Sequence, residues 1–213
     1  MKKITIYIVG AILCLKKRKD QSLKRKAFML ICTVLLCIIS PTVAQQRKAV
    51  EGTANGIQIG QKLPDSIWQH SFAFINDPSG KTNISLQEYK GKLIILDFWA
   101  SWCGSCLAKF TALDSLQAKF KDKLVILLVS SVNTKDKLER MQKVLRGKAA
   151  ETKPTQMGSI INDKMLMALF PHQYLPHYVW IGAKGEVKAI TPAEFVNEVN
   201  IKQMLPLSIL KKP

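Results

Sequence analysis

A run of seven residues, LIILDFW at positions 93–99, is apolar except for one aspartate, Asp97. Unbroken apolar runs of this length are typical of a strand that is buried on both faces in a parallel sheet. A cysteine pair, Cys103 and Cys106, follows this run, and the apolar residues after it recur at helical spacing over 103–121. The chain is therefore predicted to fold around a central strand that leads into a helix with two cysteines at its start.

The rest of the body alternates segments with strand and helix patterns. The predicted strands are 68–75, 93–99, 125–129, 177–181 and 186–190, the last two forming a hairpin. The predicted helices are 85–89, 103–121, a segment that carries 138–145 and ends at Gly147, 163–170, and 193–205. This order predicts an α/β fold with a mixed central sheet flanked by helices on both faces.

The N-terminal segment 1–44 carries nine basic residues and one acid, which is +8 of the formal net charge of +17. It contains two apolar runs, 4–15 and 27–39, and each is shorter than the roughly 20 residues that span a bilayer. The second run follows basic residues and leads into small residues that end at Ala44. This arrangement predicts an export signal cleaved after Ala44, and an uncleaved anchor with cytoplasmic basic flanks is the alternative.

The polar segment 45–56 is interpreted as a linker, and 57–213 as the folded domain. Three of the five cysteines lie in the apolar runs of 1–44, so cleavage would leave one cysteine pair. We therefore expect an exported protein, periplasmic or tethered to the outer side of the inner membrane, with membrane contact only if 1–44 is retained. The remaining basic residues are interleaved with acids and lack an aromatic rhythm, so nucleic-acid binding is not predicted.

Two cysteines at C-x-x-C spacing can close a small disulfide, while a helix N-terminus favours the thiolate of the first. Cys103 is predicted to be the exposed nucleophile, and Cys106 the more buried resolving thiol. An inert structural disulfide or half of a metal site are the alternatives. His172 and His177 lie 66 and 71 residues after Cys106, outside the usual zinc spacing, so no metal is predicted. Both, like His70, are interpreted as ordinary surface or loop residues.

The stretch LDFWASWCGSC at 96–106 resembles the thioredoxin superfamily, and within it the exported TlpA/ResA-like disulfide reductases. The resemblance covers about 57–205 and implies a thioredoxin-like fold with its active site at the start of the first long helix. It also implies thiol-disulfide exchange with protein substrates, in the direction of reduction and without a bound cofactor, as part of cell redox homeostasis. A membrane thiol-disulfide electron donor would recharge the cysteine pair.

The same resemblance assigns roles to single residues. Asp97 stands where the family has a buried carboxylate, which would take the proton of Cys106 during exchange. Pro176 stands where the family has a cis-proline, which would turn the main chain of Leu175 towards the cysteines to pair with substrate. The predicted substrate-binding residues are Trp102, Gly104, Ser105, Leu175 and Pro176.

Three positions depart from the family pattern. Ser105 replaces a proline that is common within the motif, and Lys109 and Thr111 stand where an acidic residue and a proline are often found. Thr111 is expected to leave the helix straighter than a proline would.

Two other functions stay open. A peroxiredoxin-like antioxidant enzyme is disfavoured by the tryptophans around the pair, and a non-catalytic binding module would use the cysteines only as a bridge.

Overall fold

The structure is a computed structural model, and it describes residues 56–150 and 152–205. The predicted export segment 1–44 and the predicted linker up to residue 55 lie outside the described residues, so the domain boundaries stay predictions. Within the described ranges, no helix is both long enough and apolar enough to cross a membrane.

Strands and helices alternate along the described part of the chain. The strands are β1 (Phe72–Ile75), β2 (Asn83–Ile84), β3 (Leu93–Phe98), β4 (Leu124–Ser131), β5 (Ser159–Asp163), β6 (His177–Ile181) and β7 (Val187–Thr191). The α-helices are α1 (Asp65–Gln69), α2 (Gly104–Leu107), α3 (Phe110–Lys119), α4 (Leu138–Leu145), α5 (Met165–Leu169) and α6 (Glu198–Met204). Three 3-10 turns occur at Leu86–Tyr89, Val132–Thr134 and Ala193–Phe195.

The strands form one mixed sheet in the order β2-β1-β5-β4-β3-β6-β7. Strand β3 pairs in parallel with β4 and antiparallel with β6, and all six of its residues are buried. The apolar run therefore does form a central strand, as predicted. Because β3 is surrounded by neighbours, the turn that follows it has a rigid support.

Side chains of β3 alternate between two hydrophobic clusters, one on each face of the sheet. Leu93 and Ile95 belong to the cluster covered by α3, α4 and α6, which also holds both cysteines. Ile94, Leu96 and Phe98 belong to the opposite cluster, which is covered by α1 and α5. Helices therefore flank both faces, as the sequence predicted, and each face buries its own core.

Two strand assignments at the far side of the sheet were wrong or missing. The predicted strand 68–75 begins instead with a helix, α1, in which Ile67 and Trp68 are buried, and only Phe72–Ile75 is extended. An acidic residue in the first turn, Asp65, suits a helix N-terminus. Strand β5 was not predicted, although it lies between β1 and β4 and links them.

The predicted helix 103–121 is divided into α2 and α3. At the division the N–H of Lys109 bonds to the carbonyl of Cys106 at 3.0 Å, which is the tighter spacing of a 3-10 turn. The division precedes Thr111, which lies within the unbroken helix α3, so the expectation that Thr111 leaves the helix straighter than a proline would stays a prediction.

Candidate active site

The two cysteines are joined by a disulfide at the start of α2, with Cα atoms 5.3 Å apart. Cys103 is the N-cap residue of α2, and its sulfur accepts a hydrogen bond from the N–H of Cys106 at 3.2 Å. Cys103 is 6% exposed and Cys106 is 0% exposed. Cys103 is thus the more accessible of the two, as predicted, but in this oxidised state it is largely covered rather than exposed.

The surroundings of the Cys103 sulfur favour a negative charge on it after reduction. The backbone N–H of Cys106 points at the sulfur, and the hydroxyl oxygen of Ser105 lies 3.4 Å away. Hydrogen bonds to the charged form of a thiol lower its pKa. Lys109 is placed at the N-terminal end of α3 and does not line the groove beside Cys103, so its charge has no observed contact with the sulfur.

The turn before Cys103 is held by a carboxylate that the sequence analysis did not single out. Asp136 accepts hydrogen bonds from the backbone N–H of Ser101 at 2.5 Å and from its hydroxyl at 2.6 Å. Next to it, the indole N–H of Trp102 donates to the carbonyl of Thr134 at 3.3 Å. The segment after β4 therefore fixes the turn that presents Cys103. The sequence offers one signal for Asp136, which is that it is the acidic residue between two lysines in KDK at 135–137.

An open groove of about 480 Å³ lies beside Cys103. Four of the predicted site residues line it together, namely Trp102, Cys103, Ser105 and Leu175. The other lining residues are Asn133, Thr134, His172, Gln173 and Tyr174. Gly104 lies apart from them, in a second groove on the side of α2 that faces Phe110 and Val144. The groove thus assembles most, but not all, of the predicted substrate-binding set.

The peptide bond between Leu175 and Pro176 is cis, as the resemblance implied. It lies directly before β6, which pairs with β3 and so returns the chain to the end of the strand that leads to Cys103. Leu175 therefore lines the groove together with Cys103, and Pro176 is half-buried behind it.

Asp97 is fully buried in the middle of the sheet. By strand alternation its side chain leaves β3 on the same face as Leu93 and Ile95, the face whose cluster holds Cys103 and Cys106. Burial raises the pKa of its carboxyl well above the usual value. The nearby Tyr178 hydroxyl counters part of that rise, although neither oxygen of Asp97 has a hydrogen-bond partner among the described residues.

His172 lies in the loop before β6, in line with its interpretation as a loop residue, whereas His177 is the first residue of strand β6. Both rings are half-buried, and they stack with centroids 4.6 Å apart and planes 10° apart. His172 lines the groove beside Cys103, and both rings pack against Phe98. His70 lies elsewhere, edge-on to Phe72 at 4.6 Å. Nothing in the described ranges brings three histidine, cysteine or acidic side chains together as a metal site.

The model of the AhpC/TSA family matches residues 59–159, which include the cysteine pair. The thioredoxin-like protein YneN of Bacillus subtilis is 31% identical over 135 residues, which cover 63% of this chain and 72% of YneN. The thiol-disulfide oxidoreductase ResA of Oceanobacillus iheyensis is 25% identical over 117 residues. That alignment covers 55% of this chain and 59% of ResA, so the chain spans little more than half of this relative.

The fold is also that of a solved structure. The thioredoxin domain of a thiol-disulfide oxidoreductase from Bacteroides vulgatus superposes with a TM-score of 0.50 at 18% sequence identity. The match covers 70% of this chain and 95% of that domain. At this level of identity the likeness establishes a thioredoxin-like fold.

Proposed function

This chain belongs to the thioredoxin superfamily, together with ResA-like thiol-disulfide oxidoreductases, and we propose that its Cys103–Cys106 pair reduces disulfide bonds in exported proteins. The observation that carries the proposal is the position of the Cys103 sulfur. It accepts a hydrogen bond from the Cys106 N–H and borders an open groove that the cis-proline segment also lines. A sulfur in such a place can form a mixed disulfide with a bound partner.

The reaction starts from the reduced pair. The Cys103 thiolate attacks one sulfur of a substrate disulfide, which forms a mixed disulfide and releases the other substrate sulfur as a thiolate. Cys106 then loses its proton and attacks the Cys103 sulfur. This second step restores the Cys103–Cys106 bond and releases the remaining substrate sulfur. Two electrons have passed from the cysteine pair to the substrate, which takes up two protons and leaves as a dithiol.

Asp97 supports the second step as the acceptor of the Cys106 proton. Its carboxyl is on the cysteine side of the sheet, and burial raises its pKa well above the usual value. A base whose pKa is closer to that of the proton donor is a better acceptor than an exposed carboxylate. Tyr178, whose own pKa is raised by burial and by the Asp97 charge, remains a neutral phenol beside it.

The groove supports binding of an extended protein segment. Leu175 lines the groove together with Cys103, and we infer that its backbone groups pair with a substrate strand there. Two exposed aromatic rings also line the groove, since Trp102 is 55% exposed and Tyr174 is 81% exposed. Apolar side chains beside the substrate cysteine would pack against these rings.

The proposed setting is outside the inner membrane. The basic and apolar composition of 1–44, followed by small residues up to Ala44, supports export by cleavage or by anchoring. In that setting the oxidised pair must regain two electrons after each turnover. We assign this step to a membrane thiol-disulfide donor, whose own dithiol becomes a disulfide as it reduces Cys103–Cys106.

The direction of exchange is tested by the reduction potential of the pair. Equilibration of the purified protein with dithiothreitol or glutathione buffers, followed by alkylation of free thiols, gives this potential. A reductase is expected near the thioredoxin value of about −270 mV, whereas a value near −120 mV would make the protein an oxidant of other thiols.

Trapping tests catalysis itself. The variant Cys106→Ala should accumulate a mixed disulfide between Cys103 and a protein substrate, and Cys103→Ala, the matched control, should accumulate none. If neither variant traps substrate and both merely unfold more easily than the parent, the cysteines form a structural bridge. If the reduced protein consumes hydrogen peroxide faster than it reduces protein disulfides, the peroxiredoxin-like alternative is correct.

A further inference from the structure

The stacked pair of His172 and His177 spans the segment that carries the cis-proline. His172 precedes Leu175 by three residues and lines the groove with Cys103, while His177 directly follows Pro176 as the first residue of β6. The ring centroids are 4.6 Å apart and the planes are nearly parallel, at 10°. Contact between the two rings therefore closes the segment 172–177 on itself and limits how far Leu175 can move.

The stack is also attached to the strand that carries the active-site turn. Phe98, the last residue of β3, is the cross-strand neighbour of His177, and its ring centroid lies 4.5 Å from that of His172. The distance from Phe98 to the His177 ring is 5.8 Å. Trp99 and the turn that carries Cys103 follow Phe98 along the chain. The rings of His172, His177 and Phe98 therefore connect the cis-proline segment to the strand that leads to Cys103.

Hydrogen bonding fixes the form of the His172 ring. Its Nδ1 lies 2.9 Å from the carbonyl oxygen of Phe170, and a carbonyl oxygen can only accept, so Nδ1 carries a proton. The buried Nε2 of His177 has no hydrogen-bond partner in the described ranges. A proton added to that nitrogen would create a charge without a partner, so the packed arrangement favours neutral rings.

We propose that the His172–His177 stack is a positioning element for substrate, which holds the main chain of Leu175 beside Cys103 while both rings are neutral and releases it when they gain protons. This proposal rests on the proposed disulfide reduction, because it assigns the stack to the binding step of that reaction. Neither histidine is assigned a part in the transfer of electrons.

The charges around the stack support neutral rings near neutral pH. Burial lowers the pKa of both histidines, that of His177 to about 4, and a charge on His172 lowers it further. Asp163, at the end of β5, acts in the other direction by favouring a charge on His172, and His70 lies near enough to interact with Asp163. The residues that line the groove include no lysine or arginine, and the other ionisable residues that line it with His172 are Cys103 and Tyr174.

The expected pH dependence follows from these directions. The packed histidine rings bind protons more weakly than rings that are free in water. A fall in pH therefore favours the conformation of segment 172–177 in which the two rings are separated. Binding of a protein substrate should therefore weaken as the pH falls from about 7 to about 5. Reduction of a small disulfide, which does not need the Leu175 main chain, should not weaken in the same way.

The test compares the full protein with His172→Ala and His172→Phe, using a peptide disulfide and a small aryl disulfide as substrates. His172→Ala removes the stack and should raise KM for the peptide about three- to tenfold at pH near 7, the range expected for one aromatic contact. Its kcat, its KM for the aryl disulfide and the potential of the cysteine pair should not change. His172→Phe keeps a ring without a titrating group, so its KM should stay near the parent value and rise less in acid.

Phe195→Ala is the matched control, because it removes an aromatic ring that is 53% exposed and does not line the groove. It should reproduce the parent KM and pH profile. The positioning role is overturned if His172→Ala keeps the parent KM for the peptide, or if both substrates lose turnover in parallel. A parent protein that reduces neither substrate overturns the proposed function instead, and the positioning role with it.

Discussion

Asp97 and Tyr178 are direct neighbours across the antiparallel strands β3 and β6, and the polar atoms of both side chains are buried without a hydrogen-bond partner in the described ranges. Burial of an unpaired carboxyl or hydroxyl group opposes folding. The pair lies between the strand that leads to Cys103 and the strand that follows the cis-proline. We therefore explain it by proton transfer at the cysteines rather than by a contribution to stability.

The first prediction concerns the release of substrate. Asp97→Asn should slow turnover about a hundredfold, because an amide cannot take the Cys106 proton, and a positioned base typically contributes at least this factor. In single-turnover experiments that are stopped by alkylation of free thiols, the mixed disulfide at Cys103 should accumulate. Asp114→Asn is the matched control, since Asp114 accepts hydrogen bonds from Thr155 and Gln156 away from the cysteines. Equal rates for the parent and Asp97→Asn would exclude Asp97 as the base.

The second prediction concerns stability against pH. Because burial raises the pKa of Asp97, the folded state binds this proton more tightly than the unfolded chain, whose carboxyl titrates near 3.8. The contribution of this proton to the stability of the folded state is complete below the pKa of the unfolded chain. It is lost as the pH rises through the raised pKa of Asp97 in the folded protein. Asp97→Asn lacks this titration. Its Tm should therefore decline less than that of the parent between about pH 5 and pH 9, and equal slopes would contradict the assignment.

Much of the site could be predicted because its signals are local. The apolar run of β3, the C-x-x-C spacing and Leu175-Pro176 before a hairpin are each readable over a few residues. The sequence also correctly indicated a mixed sheet with helices on both faces, since buried strands and amphipathic helices have distinct periods. In contrast, α1 was taken for a strand because Trp68 and its neighbours are aromatic and β-branched, although Ile67 and Trp68 are buried in a single helical turn.

The remaining features depend on contacts between distant segments. Strand β5 has only two apolar residues in SIIND, and its identity comes from pairing with β1 and β4 on its two sides. Asp136 acquires its role through Ser101, 35 residues earlier in the chain. The two histidines meet across the intervening segment 173–176, and no periodicity encodes such a contact.

The third prediction concerns the support of the active-site turn. Asp136→Ala removes both acceptors of Ser101 and should lower the free energy of unfolding by about 1 to 3 kcal/mol, as expected for hydrogen bonds to a charged group. Asp136→Asn retains one acceptor oxygen and should lose less. Urea denaturation of the oxidised proteins measures both losses. Asp122→Ala, at an exposed aspartate before β4, serves as the control, and an equal loss there would show that Asp136 has no special role.

The last prediction concerns Ser105, which stands where a proline is common in this family. Ser105 is the second residue of α2, where the backbone N–H has no partner within the helix, so Ser105→Pro should fold normally. After reduction, the Ser105 hydroxyl can donate to the Cys103 thiolate from 3.4 Å. Both Ser105→Pro and Ser105→Ala lose this donor, so their Cys103 should be alkylated more slowly below neutral pH than in the parent.

A difference between the two variants would measure the effect of the proline ring alone. Ser115→Ala, which removes a hydroxyl from α3, should behave like the parent. Unchanged alkylation in both Ser105 variants would show that the hydroxyl does not stabilise the thiolate.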